Sequence, residues 1–391
     1  MPKLLQINVT ANQGSTGKIA EQVGRLVMSH GWESWIAYGR GVPRSESGLI
    51  RIGNDWDMCV HGVQSRLFDN HGLASRSVTA QFIKTAGEIN PDIVHLHNIH
   101  GYYLNYPMLF EWLKEWGGPV VWTLHDCWPF TGHCAYFMMS GCEKWMSGCH
   151  DCGSLRGYPA SLLMDCSKRN YNLKKKFFTS LDDSLTLVPV SHYVGDYLKD
   201  SFFKNTRREV IHNGIDTDVF RPCAQKERLV LGVANVWEQR KGLSDFYKLR
   251  KLLPAEYRIL LVGLTGKQIA RLPSGIDGIS RTESQDELAK IYSQAIVLVN
   301  PTYEDNYPTV NLEAISCGTP VITYRTGGSP ESLTDLTGVV LEQGDIRGIV
   351  DAINDFEHRD SVDVMCRRYA VANFEQKKCF NAYFNLYQNL L

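Results

Sequence analysis

Apolar residues along this chain gather into short, nearly continuous runs, separated by segments in which they recur every three or four positions. Lys3–Val9, Ser34–Tyr38, the run IVHLHNIHGYY after Pro91-Asp92, Val120–Leu124, Leu185–Pro189, Leu229–Ala234, Arg258–Val262, Ala295–Asn300, Val321–Tyr324 and Gly338–Gln343 read as strands. Unbroken apolar runs, rather than strict alternation, suit parallel strands covered on both faces. Between them, Ile19, Val23, Leu26 and Val27 share one helical face from Gly17 onward. Gln81–Glu88, Ser167–Phe178, the segment opening at His192, Thr309–Ser316 and Asn373–Leu391 also carry helical spacing. Residues 40–79 are rich in Gly, Ser and Arg and show no assignable pattern. Alternating strands and helices predict an α/β fold of doubly wound, Rossmann-like halves. We expect an N-terminal domain over 1–220, a C-terminal domain over 221–372 and a terminal helix over 373–391.

Composition narrows the class. The 391 residues suffice for two domains, and 43% hydrophobic with 11% aromatic residues is a globular balance. A formal net charge of −1 provides no basic field for nucleic acid. No apolar run approaches the length of a membrane span. The opening MPKLLQINV runs straight into a strand without a signal-peptide pattern, so a cytoplasmic location is expected. Eleven cysteines in that setting point to reduced thiols or a metal site rather than disulfides.

The chemistry concentrates where strands run out. In Thr302–Ile322, TYEDNYPTVNLEAISCGTPVI, Asp305 and Glu313 stand eight residues apart, one before the helix and one on it. Both can face the crevice at the carboxyl end of a parallel sheet. The backbone N–H groups of Thr309, Val310 and Asn311 open that helix and would attract a phosphate. By residues alone, an acidic loop before a core helix is the plain alternative. Arg240 and Lys241 precede Gly242 just after a strand, where a guanidinium and an ammonium can neutralise a diphosphate. His97, His100 and His125 should reach one sheet edge, whereas His95 reads as structural. The loop NQGSTGK is neither a Walker A loop nor a dinucleotide fingerprint, and a simple strand–helix turn explains it equally well.

The segment around Asp305 and Glu313 resembles the E-x7-E donor motif of retaining, family 4-type glycosyltransferases of the GT-B fold. That resemblance implies two Rossmann-like domains facing a cleft. It implies that Glu313 grips the ribose of a nucleotide-diphosphate sugar. Asp305, Asn306, Tyr307, Pro308 and the amides of Thr309 and Val310 would then hold the sugar hydroxyls and diphosphate. Asp305 stands where the family more often has Glu, and Glu304 beside it leaves a one-residue offset open. Gly14 and Gly17 match the family's glycine-rich loop against the donor phosphate. His125 matches a histidine that points at the anomeric region, and Asp126 either orients it or meets the acceptor hydroxyl. Lys241 and Arg240 match the family's diphosphate cations, while Asn235 replaces a usual basic residue. The run HNGIDTDVF at His212–Phe220 is similar to the family's interdomain segment, and the nucleobase falls near Ile279–Arg281. The implied reaction is sugar transfer from a UDP- or GDP-sugar to a hydroxyl with retained configuration, needing no cofactor for chemistry. The implied acceptor is a polyprenyl-diphosphate-linked glycan in bacterial capsule, O-antigen or exopolysaccharide synthesis. An epimerase or hydrolase on the same fold, or a non-catalytic binding protein, is the alternative.

Two further features stand out. Within a Cys-rich loop over 127–153, Cys134, Cys142, Cys149 and Cys152 place four thiols in nineteen residues. Four soft ligands closing with C-x-x-C suit a structural zinc, with His133 or His150 able to replace one thiol. The helix SKRNYNLKKKFF at Ser167–Phe178 reads as a solvated basic face, or as a peripheral contact with an anionic membrane.

Overall fold

The expected strands assemble into two separate sheets, each parallel throughout. The computed structural model describes residues 1–391, which divide into two units. The first comprises Met1–His212 with Phe380–Leu391, and the second Asn213–Cys379.

In the first unit, β1 (Lys3–Asn8), β2 (Glu33–Tyr38), β3 (Gly48–Arg51), β4 (Ile93–Leu96), β5 (Val120–Leu124), β6 (Leu185–Pro189) and β7 (Arg207–Arg208) lie in the order β3-β2-β1-β4-β5-β6-β7. The chain winds outward from β1 and then returns to β4 on the other side, placing a topological switch point between them. Every residue of β4, β5 and β6 is buried, as a sheet covered on both faces requires. Trp122, Phe110, Phe178 and Trp128 fill the core beneath. The second unit repeats the plan with β8 (Glu227–Val233), β9 (Arg258–Val262), β10 (Ile276–Ile279), β11 (Ala295–Asn300), β12 (Val321–Tyr324) and β13 (Gly338–Leu341), ordered β10-β9-β8-β11-β12-β13. Its switch point lies between β8 and β11, where both the Arg240-Lys241 and the Asp305 segments emerge.

Several local readings change. The unassigned stretch holds β3 and the helix Asp55–Phe68, while the helix expected over Gln81–Glu88 runs from Arg76 to Ile89. The former is opened by a reciprocal capping box between Asn54 and Asp57. The first helix begins at Gly14 rather than Gly17. Strand β4 stops at Leu96, and the chain then turns through Gly101 (φ +117°) and Tyr102 (φ +71°). The basic helix is not simply a solvated face, because Lys174 is 1% exposed. Its ammonium donates to the carbonyls of Trp128 (2.7 Å) and Thr131 (3.0 Å) and sits 3.6 Å from the Trp128 ring centroid. The last helix, Gln376–Leu390, carries Tyr383 and Tyr387 into the first unit, where they bond Thr123 and His95.

Candidate active site

In the second unit, β11 delivers the chain through Pro301 into a loop held from below by Arg240. Its carbonyl accepts from Tyr303 N–H (2.7 Å) and Thr302 Oγ1 (3.2 Å). The Arg240 side chain bonds Glu238 (3.1 Å) and the Glu304 carbonyl (3.3 Å). Lys241 forms an ion pair with Asp305, and the two side chains are only 17% and 16% exposed. Backbone shape makes this approach possible. Gly242 has φ +70°, and a Cβ there would lie 2.1 Å from the Pro301 carbonyl oxygen. Gly327 has φ +54°, with a Cβ position 1.6 Å from the Asp305 carbonyl oxygen. Neither contact tolerates a side chain. Asp245, on the helix after Gly242, is buried and accepts from Tyr303 (2.8 Å) and Tyr324 (2.9 Å), tying the loop to β12.

Glu313 accepts a hydrogen bond from the Tyr292 hydroxyl at 2.9 Å. Burial, together with the Glu313 charge, holds the Tyr292 phenol well above its usual range, so it remains a donor. The helix Thr309–Ser316 opens without a side-chain cap. Its Asn311 N–H is taken by the Pro308 carbonyl (3.2 Å), which removes it from the expected phosphate-facing set. The Asn311 amide is buried and bonds Asn300, Ser329 and Ser332. Asn306 and Tyr307 are buried. Asp305, Glu313, Arg240 and Lys241 thus emerge along one sheet edge, with the acids and cations of the loop already interlocked.

In the first unit, three histidines meet beyond β4 and β5. His97 Nδ1 lies 3.1 Å from His125 Nε2, and His97 Nε2 lies 3.1 Å from the Gln6 amide oxygen. His100 Nε2 bonds Asp126 at 2.8 Å, and its Nδ1 faces the Tyr158 hydroxyl at 3.1 Å. Burial pushes the Asp126 carboxyl up, but His100, the Trp128 N–H and His125 outweigh it and hold the group below its ordinary value. Asp126 therefore pairs with His100, and His97 stands at hydrogen-bond distance from His125. Burial pushes His125 down to about 4, against a smaller opposing pull from Asp126. His95 is structural, bonded to Thr123 (2.8 Å) and Tyr387 (2.6 Å). Gly14 has φ +65° at the start of the first helix, and Gly17 packs where a Cβ would meet Thr10 Oγ1 at 2.7 Å.

The cysteine loop lies in the same unit. Cys134 and Cys152 are hydrogen-bond partners, and Cys149 lies near Cys142 and Cys152 while accepting the Gly132 N–H at 3.1 Å. No three of the four sulfurs stand within 4.8 Å of one another. His133 is not available to a metal, because its two nitrogens bond Asp69 (2.7 Å) and the Leu155 carbonyl (3.1 Å).

Comparison with known proteins agrees with this layout. The family description "Glycosyltransferase Family 4" matches residues 30–219, and "Glycosyl transferases group 1" matches residues 227–358. The chain belongs to the family 4-type glycosyltransferases. It is 24% identical over 419 residues to WcaC of Escherichia coli K12, named for colanic acid biosynthesis, covering 99% of this chain and 100% of that one. Among solved structures, sucrose-phosphate synthase from Thermosynechococcus elongatus superposes with a TM-score of 0.72 at 16% identity, covering 100% of this chain and 99% of that one. Anabaena HepE in complex with UDP-glucose gives 0.67 at 13% identity, covering 99% and 100%. The fold is GT-B.

Sequence reading of this glycosyltransferase missed Gln6, Tyr158 and Tyr292, which orient the histidines and Glu313. Only Gln6 left a trace, as a lone amide inside an apolar strand. The buried histidines also set an acid limit. His61, His71, His95, His97 and His125 are all held below their ordinary value of 6.5, chiefly by burial. The unfolded chain therefore binds more protons than the folded one once pH falls below 6.5, and stability must fall with it. Each group contributes up to about 1.4 kcal/mol per pH unit between its unfolded and folded values. Urea midpoints taken from about pH 7.5 down to about pH 5 should decline steeply for the first unit; a flat profile would contradict neutral burial.

Proposed function

We propose that this glycosyltransferase moves a sugar from a UDP- or GDP-sugar to a hydroxyl of a lipid-linked glycan, with retained configuration, during assembly of a bacterial surface polysaccharide. The observation that carries the reading is the Lys241–Asp305 pair beside Arg240 and Glu313, at the carboxyl edge of a parallel sheet. A diphosphate arriving there meets two cations, and the carboxylates remain for hydroxyls. Lys241 then exchanges Asp305 for phosphate, freeing that carboxylate for the sugar. Glu313, steadied by Tyr292, accepts from the ribose. Arg240 and Lys241 stabilise the charge that develops on the departing diphosphate. The leaving phosphate itself takes the proton of the incoming hydroxyl on the same face, so no carboxylate has to form a sugar ester. UDP and UDP-glucose in the similarly folded HepE support a nucleotide-sugar donor. The likeness to WcaC along the whole chain supports polysaccharide assembly.

The membrane side of this reading rests on the basic helix. Lys168, Arg169, Lys175 and Lys176 are exposed, and Leu162, Leu163 and Met164 just before them are 60%, 72% and 46% exposed. Cations beside exposed apolar side chains suit an anionic bilayer surface. No helix is long and apolar enough to cross a membrane. In the cysteine loop, Cys134, Cys142, Cys149 and Cys152 would hold one structural zinc, which would draw their sulfurs together and leave no open position for chemistry.

Three measurements test these statements. Glu313→Ala should weaken binding of the cognate nucleotide by about 10- to 100-fold in calorimetry, the loss of a charged hydrogen-bond acceptor. Unchanged affinity removes Glu313 from the donor site. Co-sedimentation with anionic vesicles should drop when Lys168, Lys175 and Lys176 become Glu, at about 1 kcal/mol per cation; equal pelleting of both proteins excludes that face. Elemental analysis should find one zinc per chain, lost together with thermal stability in Cys149→Ser. Protein purified without chelators and free of metal discards the zinc.

A further inference from the structure

His71 is 3% exposed, and neither of its ring nitrogens has a hydrogen-bond partner. The loop that carries it is tightly built. On one side the Asp69 carboxylate accepts from His133 Nδ1 (2.7 Å) and the Cys166 N–H (2.9 Å), and its carbonyl accepts from Asn170 (2.8 Å). On the other, the Gly72 N–H donates to His61 Nε2 (3.1 Å), and its carbonyl takes the Tyr106 N–H (2.9 Å). The backbone thus holds in place an imidazole that gains no hydrogen bond from the protein around it. Burying unpaired donors and acceptors costs stability, and such a group calls for a partner from outside the fold. Burial, reinforced by the nearby His100, His61 and Lys174, keeps the ring neutral. It therefore offers one N–H and one lone pair, the complement of an alcohol.

The walls around it are aromatic. Ring centroids lie 5.0 Å (Tyr102), 5.4 Å (Trp128), 5.7 Å (His100) and 5.9 Å (Tyr158) from His71. Tyr158 is 45% exposed and Tyr102 half-buried, so these two rings form the solvent side of the cage. Tyr102 holds φ +71° directly after Gly101 at +117°. A bulky residue is strained there, and relaxation of that backbone moves the ring that covers His71. Arg66 stands 5.5 Å from the Tyr102 ring, and the charge of Arg40 reaches both tyrosines. His100 ties the cage to Asp126 of the candidate active site.

We propose that the cage around His71 is a subsite for an acidic sugar ring of the acceptor glycan. Tyr102 and Tyr158 flank the ring, and His71 bonds one of its hydroxyls once Tyr102 moves aside. Arg40 and Arg66 at the rim favour a ring that carries a carboxylate or a phosphate. Aromatic walls with a few convergent polar groups are the usual means of orienting a small ligand. The inference takes from the proposed function only that the acceptor is a glycan.

Binding is read directly, without turnover, so a failed transfer assay and a failed subsite are separate results. Full-length protein with carbon-13-labelled histidine is titrated with methyl β-glucuronide, methyl β-glucoside and inorganic phosphate. The His71 ring signal is identified by its loss in His71→Phe. That signal should shift saturably with the glucuronide, at a Kd on the order of millimolar for a single sugar. The neutral glucoside should bind about tenfold more weakly. Arg66→Gln, at an exposed position, should lower glucuronide affinity about tenfold, to the level of the glucoside. In His71→Phe, glucuronide binding followed by saturation-transfer NMR should weaken about tenfold or more. Should His71→Phe fail to fold, the Arg66→Gln comparison decides alone. The absence of a saturable shift with either sugar overturns the subsite, as does a glucuronide affinity unchanged in either variant. A shift of the same size and affinity with inorganic phosphate marks a plain anion site and overturns the sugar.

Discussion

A parallel sheet covered by helices on both faces contains no water, so every polar side chain within it must find a protein partner. The first unit meets that demand with uncharged groups. Gln6 spans from the Ala20 carbonyl to His97, and His95 spans from Thr123 to Tyr387. These bonds tie the interior together, and the Gln6 amide oxygen, which only accepts, places a hydrogen on His97 Nε2. At the sheet edge a charge is admitted, where Asp126 is held ionised by His100 and a backbone N–H.

The second unit solves the same problem with amides and hydroxyls. Asn311 joins Asn300 to Ser329 and Ser332, locking β11, the helix Thr309–Ser316 and the loop after β12 into one polar knot. Above that knot the charged residues are paired rather than solvated. Lys241 with Asp305 holds two opposite charges at partial burial, a cost that the ion pair offsets. The close passage of Gly242 against Pro301 and of Gly327 against Asp305 lets three loops share that edge.

Lys174 shows the constraint at its strictest. A buried ammonium has no carboxylate among its hydrogen-bond partners and rests on two carbonyls and the face of Trp128. It thereby pins the segment after Asp126 from beneath, along with the turn that carries Cys134.

Periodicity and short motifs in the sequence determined the alternating α/β layers, most strand positions and the acid–cation set of Arg240, Lys241, Asp305 and Glu313. These features depend on near neighbours, where apolar runs, Gly and Pro speak directly. The helix Asp55–Phe68 escaped because its face is weakly apolar, though the Asn54–Asp57 capping box was present to be read. Tertiary structure alone decided the pairings across sequence distance. It set His97 beside His125, paired Asp126 with His100, brought Tyr292 to Glu313, turned Lys174 inward and engaged His133 with Asp69. Each of these joins residues from different elements, and a hydrogen-bond partner many residues away leaves no periodic mark on the chain.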